Sequence, residues 1–264
     1  MIPFTKAHGN GNDFVIFEAA SCPPVIRDAA FIRRVCDRHA GVGADGVLIL
    51  SGPQGNDATF KIDYHNADGS GETFCANGSR CAIQYWARAH GGPAEMTVET
   101  GAGLHRGRRL TDGQVELQIL PPRHASAMLN VAGRKGQLVD SGAPHFAVEV
   151  ADLDSDTLAA EGPAIRYAEA FQPRGANVNF FQRLDEQTIQ VMTYEKGVEA
   201  VVMSCASGST AACYHAAMTG PLKSPVRIIN PGGDLTVEFD AGWQNVTVSG
   251  PAVLVFEAQL PDDF

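Results

Sequence analysis

Cys75-Ala76-Asn77-Gly78-Ser79 occurs twice in this chain, the second time as Cys205-Ala206-Ser207-Gly208-Ser209. The flanks repeat as well: Tyr64 stands eleven residues before Cys75, and Tyr194 eleven before Cys205. Each copy leads into a helix-like run that stops at glycine and proline, His90-Gly91-Gly92-Pro93 in the first half and Thr219-Gly220-Pro221 in the second. A motif that recurs with its flanks intact reads as a chain built from two similar halves. Each half then carries one cysteine where a loop turns into a helix.

Small residues after a cysteine let the backbone turn tightly and leave amide N–H groups free to face a ligand. Asn77 or Ser79 can cap the first helix, and Ser207 or Ser209 the second. A helix N-terminus carries partial positive charge and unpaired donors, which suit a carboxylate. The same field favours thiolate over thiol. If the halves face each other, two cysteines and two helix N-termini converge on one small anionic molecule.

A chain of 264 residues with 44% apolar and 19% charged residues fits one large or two ordinary globular domains. The net charge of −10 argues against nucleic acid or an anionic membrane as partner. No stretch approaches a membrane span, and the N-terminus shows no export pattern, so the expected location is the cytoplasm. There the six cysteines, 22, 36, 75, 81, 205 and 213, are expected to be thiols. No Cys-x-x-Cys pair is present, so no metal site is expected.

Taken in order, residues 2 to 17 read as two strands about a Gly-Asn turn. A helix follows from Asp28 as cap through His39, ended by Gly41. Gly41-Val42-Gly43-Ala44-Asp45-Gly46 resembles a phosphate loop only superficially, because no lysine and no helix follow it. Residues 58 to 64 alternate as a strand and reach the turn Asn66-Ala67-Asp68-Gly69-Ser70. Arg106-Gly107-Arg108-Arg109 reads as a solvated turn, and Pro121-Pro122 as the linker. The second half repeats the order, with His145 in the turn that begins at Ser141. Cys36, Cys81 and Cys213 read as packing residues. Each half is mostly strand with one central helix behind its cysteine, an α+β pattern.

Several motifs together resemble the diaminopimelate epimerase family along almost the whole chain. They are His8-Gly9-Asn10-Gly11-Asn12-Asp13-Phe14, Asp37-Arg38-His39-Ala40-Gly41-Val42-Gly43-Ala44-Asp45-Gly46, and Asn66-Ala67-Asp68-Gly69-Ser70. Gly142-Ala143-Pro144-His145, Gly175-Ala176-Asn177-Val178-Asn179-Phe180 and Tyr194-Glu195-Lys196-Gly197 continue the series. The resemblance implies two pseudo-symmetric domains, each a curled, mostly antiparallel sheet around a central helix, with the active site in the cleft between them. The expected domains are 1–120 and 121–264, with the last strand free to return to the first. The implied reaction interconverts LL- and meso-diaminopimelate, for lysine and cell-wall peptide, without pyridoxal phosphate, another cofactor or a metal. A homodimer is left open.

The chemistry of the residues agrees with that implication. Removing an amino-acid α-proton makes a carbanion, and fixed dipoles in a dry cleft can hold the charge that develops on the carboxylate. Inverting the centre needs a base on one face and an acid on the other, which two thiols supply. By resemblance, Cys75 and Cys205 are the acid/base pair, and His145 and Glu195 tune them. Asn12, Asn66 and Asn177 hold the distal groups of a small amino-acid substrate. Ala76-Asn77 and Ala206-Ser207 present N–H groups to the reacting carboxylate, and Glu195 with Lys196 meets the far end.

Four departures touch recognition more than chemistry. Ala76 and Ala206 stand where the family usually has glycine, which requires negative φ there. Lys196 replaces the usual arginine and loses a bidentate grip. Ala143 replaces an asparagine common in the family, and the run before Cys205 is more apolar than usual. The same chemistry on another amino acid, such as histidine or lysine, is therefore the alternative substrate reading. A non-catalytic binding paralogue and a thiol-redox protein are the alternatives of other classes.

Overall fold

A computed structural model describes the whole chain except Gln54, Asn56, Thr111 and His124. The chain divides into two compact units, Met1–Gln118 with Gly250–Phe264, and Ile119–Ser249.

The first unit begins with β1 (Ile2–Gly9) and β2 (Asn12–Glu18), antiparallel across Asn10-Gly11, both at positive φ. Helix α1 (Ala29–Cys36) then leads to β3 (Gly46–Ser51), which lies parallel to β2. Next come β4 (Phe60–Asn66) and the short β5 (Gly71–Glu72), then α2 (Ala76–His90). Strand β6 (Glu95–Thr100) returns parallel to β4, and β7 (Gly103–Arg109) and β8 (Gln114–Ile119) follow antiparallel.

The second unit repeats this list. After β9 (Met128–Val131) come β10 (Arg134–Asp140), β11 (Pro144–Glu149) and α3 (Ser155–Arg166). Strand β12 (Asn177–Arg183) lies parallel to β11, as β3 does to β2. Then follow β13 (Thr188–Glu195), β14 (Ala200–Val202) and α4 (Ala206–Thr219). Strand β15 (Val226–Asn230) is parallel to β13, as β6 is to β4, and β16 (Gly233–Phe239) and β17 (Val246–Pro251) close the series. The last strand, β18 (Val253–Leu260), pairs antiparallel with β1, as β9 does with β10. The duplication read from two pentapeptides thus extends to every strand pairing of this series.

Helix α2 touches strands β1, β2, β3, β4, β6, β7 and β18, so the sheet curls around it. Its first two turns, Ala76 to Ile83, are buried on every side. A helix enclosed this way needs small residues where strands approach, which is why this stretch is rich in Ala, Gly and Ser. Val47-Leu48-Ile49-Leu50 is buried on both faces. Val47 and Ile49 join the cluster with Phe31, Ile32 and Val35 of α1, while Leu48 closes on Gly78 of α2. Each such side chain contributes about 1.5–3 kcal/mol on burial. Among the described residues, no helix is long and apolar enough to cross a membrane.

Four local expectations are corrected. The cysteines themselves occupy the N-cap positions of α2 and α4, so Asn77, Ser79, Ser207 and Ser209 lie inside the helices. Helix α1 ends at Cys36 rather than His39, because Asp37 Oδ1 accepts the N–H groups of His39 and Ala40 and turns the chain out. The Arg106–Arg109 cluster lies on β7: His105 and Gly107 face inward while Arg106 and Arg108 face outward, Arg108 to Glu116, and Arg109 reaches Gln84 of α2. His145 is in β11, not a turn, and is fully buried.

Candidate active site

In the first unit, Cys75 is the last extended residue before α2, at φ −139°. Its sulfur accepts the Gly78 N–H at 3.4 Å, and its carbonyl accepts the Ser79 N–H at 2.8 Å. The N–H groups of Ala76 and Asn77 belong to the first turn, where no intrahelical acceptor exists. Asn12 Oδ1 lies 3.9 Å from Cys75 Sγ and accepts from Asn77 Nδ2 at 3.1 Å. Asn12 Nδ2 donates to Asp45 Oδ2 at 2.8 Å. Asp45 and Asp13 share Arg38, and Asp13 also takes Lys6. Burial raises the Asp13 carboxyl, but the bonds from Arg38 and Lys6 outweigh it and bring the carboxyl down to about 2.

Three residues that brace this half-site were not legible in the sequence. Asp45 anchors Asn12, inside a glycine-rich run read only as a loop. Arg80 is wholly buried on α2, with Nη2 bonded to Asn10 Oδ1 at 2.7 Å and Asn77 Oδ1 at 3.0 Å. It thereby fixes the amide of Asn77, and Asn10 shares it. The available signal was an arginine in an otherwise small-residue helix start. Asn66 stays apart from this chain of bonds: it accepts from Tyr64 and donates to Ser70.

The second unit gathers more of the expected residues. Cys205 caps α4 in the same extended conformation, at φ −131°, and its carbonyl accepts the Ser209 N–H at 2.8 Å. Ser207 Oγ is 3.4 Å from Cys205 Sγ and 2.9 Å from His145 Nε2. His145 Nδ1 is 2.8 Å from Asn179 Oδ1, and Asn179 Nδ2 donates to Thr193 Oγ1 at 2.6 Å. Asn177 accepts the Lys196 N–H at 2.7 Å and places its own Nδ2 3.5 Å from His145 Nε2. Glu195 lies within hydrogen-bonding reach of Cys205. Lys196 points its side chain away, to the carbonyl of Arg174.

The electrostatics of this half-site favour neutral groups. Burial lowers the His145 imidazole to about 4, so it is uncharged at neutral pH. Cys205 keeps some accessible surface, yet the dense protein around it, and then the Glu195 carboxylate, raise its thiol well above the usual value. Ala76 and Ala206 are the first residues of their helices and neither has positive φ, so the methyl groups are accommodated. Cys81 and Cys213 are buried in their helices and pushed upward by burial, as packing residues should be.

The description "Diaminopimelate epimerase" belongs to the family whose model matches residues 4–119 and 137–255. This chain belongs to the diaminopimelate epimerase family. Its relatives in that family include the diaminopimelate epimerase of Aquifex aeolicus, 35% identical with 98% of each chain covered. That of Methanocella arvoryzae is 36% identical, covering 100% of this chain and 98% of the relative. Among solved structures, a probable proline racemase from Agrobacterium radiobacter K84 matches all of this chain and 94% of its own, with TM-score 0.74 and 17% identity. A phenazine biosynthesis protein of the PhzF family from Bacillus anthracis matches at TM-score 0.71 and 15% identity, over 98% and 99%. These two likenesses concern the fold. Diaminopimelate epimerase family members are isomerases, and the two-unit α+β architecture with duplicated cysteine loops is how this member is built.

Proposed function

We infer that this protein interconverts LL- and meso-diaminopimelate by proton transfer between the thiols of Cys75 and Cys205. The observation that carries the reading is the equivalence of these cysteines. Each caps the helix enclosed by its own unit, at the same point of a duplicated strand order, in a chain the family matches nearly end to end.

The chemistry follows from that placement. An ionised thiol takes the α-proton, forming its S–H bond as the C–H bond breaks. The other thiol gives its proton to the opposite face of the same carbon, so the centre inverts and the thiols exchange states. Between the two transfers, charge on the substrate carboxylate is held by the first-turn N–H groups of Ala76, Asn77, Ala206 and Ser207. Such fixed donors do the work without a carrier for the electron pair. His145 and Glu195 poise the thiols; Asn12, Asn66, Asn177, Glu195 and Lys196 recognise the rest of the substrate. Six cysteines outside disulfides fit a reducing cytoplasm.

The test is deuterium incorporation from D₂O into LL-diaminopimelate, followed by NMR. Exchange with inversion in the wild type, lost in Cys75→Ala and in Cys205→Ala, is expected; near-wild-type exchange in either variant refutes the scheme. A second substrate reading, the same reaction on histidine or lysine, is favoured by Lys196 and Ala143. Exchange into one of those but not into diaminopimelate would select it.

A further inference from the structure

His145 is fully buried, and so are the groups behind it: Asn179 at 0% exposure and Thr193 at 2%. Neither of these two touches the cysteine, so neither has a direct part in proton transfer. Their polarity nevertheless bears on which nitrogen of the imidazole carries the proton. Asn179 and Thr193 alone leave two choices, because a flipped amide could take the Thr193 hydroxyl and donate to Nδ1.

Asn177 removes the ambiguity. The backbone N–H of Lys196 donates to Asn177 Oδ1 at 2.7 Å, which fixes that amide. Asn177 Nδ2 then donates to the Pro144 carbonyl at 3.4 Å and faces His145 Nε2 at 3.5 Å. A proton on Nε2 would confront this N–H donor, so Nε2 is the bare nitrogen. Nδ1 carries the proton and donates it to Asn179 Oδ1, and Asn179 Nδ2 donates to Thr193 Oγ1. Ser207 completes the chain: its hydroxyl donates to Nε2, which leaves its oxygen to accept from the Cys205 thiol. The site is tightly built, since a Cβ at Gly208 would come 2.2 Å from Asn179 Nδ2 and 2.9 Å from Thr193 Oγ1.

We propose that Asn179 and Thr193 are positioning residues that, together with Asn177, hold His145 in the Nδ1–H tautomer, so that Nε2 accepts the Ser207 hydroxyl and the Ser207 oxygen is turned to accept from the Cys205 thiol. This rests on Cys205 being a proton carrier. The titratable and charged groups facing that thiol are His145 of β11 and Glu195 of β13, with Asp140 of β10 acting on His145. Burial first, and then the anionic Glu195 beside it, favour the protonated form of this thiol.

Nitrogen-15 NMR of the histidine rings in the unmutated protein tests the tautomer without any activity readout. A protonated-type Nδ1 and a bare-type Nε2 for His145 are expected, assigned by their loss in His145→Gln. The reverse pattern overturns the proposal outright. Thr193→Val should mix the tautomers and lower kcat about tenfold with little change in KM, and Thr193→Ser should restore both. A folded Thr193→Val protein with the wild-type spectrum and kcat also overturns it. If Thr193→Val does not fold, the wild-type spectrum still decides. Near-wild-type exchange in Cys205→Ala would instead overturn the two-thiol reading, whatever tautomer His145 shows.

Discussion

Ser207 Oγ stands 2.9 Å from His145 Nε2, and it is the hydroxyl through which that buried imidazole reaches Cys205. Ser207→Ala removes the hydroxyl but keeps the helix start, so folding should persist. Its kcat should fall on the order of 10- to 100-fold, at or below the low end of what a positioned acid–base group contributes. Ser207→Thr should retain most activity. Steady-state kinetics in both reaction directions check this; equal kcat in Ser207→Ala and wild type would contradict the linkage.

Removing either sulfur should be more damaging. Cys75→Ala and Cys205→Ala are each expected to lower kcat by roughly 10³-fold or more, because in the two-thiol scheme each removes a proton carrier. Oxidation of either thiol should inactivate, and reductant should restore turnover, as read by activity against dithiothreitol concentration.

His145 gives the protein a stability term that depends on pH. Its imidazole falls from an ordinary value of 6.5 to about 4 through burial, so the unfolded chain binds the proton more readily. Stability from this group is complete above about pH 6.5 and lost as pH falls toward 4, on the order of 3 kcal/mol in all. His65, His105 and His215 are lowered in the same direction. The readout is therefore a difference: urea unfolding at pH 7 and pH 4.5 should show a smaller loss in His145→Gln than in wild type.

Lys196 donates its backbone N–H to Asn177 but sends its side chain to the Arg174 carbonyl. If the substrate has a distal carboxylate, Lys196→Arg should lower KM several-fold at constant kcat, because guanidinium binds carboxylate in two parallel bonds. A substrate without that group would gain nothing, so the KM ratio for diaminopimelate against lysine reads the specificity.

Gly208 is where α4 closes on Asn179 and Thr193. Gly208→Ala should destabilise by about 1–3 kcal/mol, as overpacking does, despite the better helix propensity of alanine. Denaturant titration measures it; a stabilised variant would mean that α4 can shift away from β12.

The sequence itself determined the duplication, the α+β character and the two cysteine loops, because these depend on local patterns: repeated spacing, alternation, and glycine or proline stops. Family motifs added His145, Glu195 and Asn177. Local pattern failed where tertiary packing outweighed it. His145 follows a proline and read as a turn residue, yet β12 draws it into a strand. Arg106 and Arg108 hid a strand because only alternate side chains meet the core. Asp45, Asn179 and Thr193 are ordinary in their local setting, and Arg80 stood out only as an arginine among small residues. Their bonds to Asn12, Asn10 and His145 exist only once the strands pair and the helices close, since a buried polar group is given its partner, and so its role, by whatever the fold brings to it.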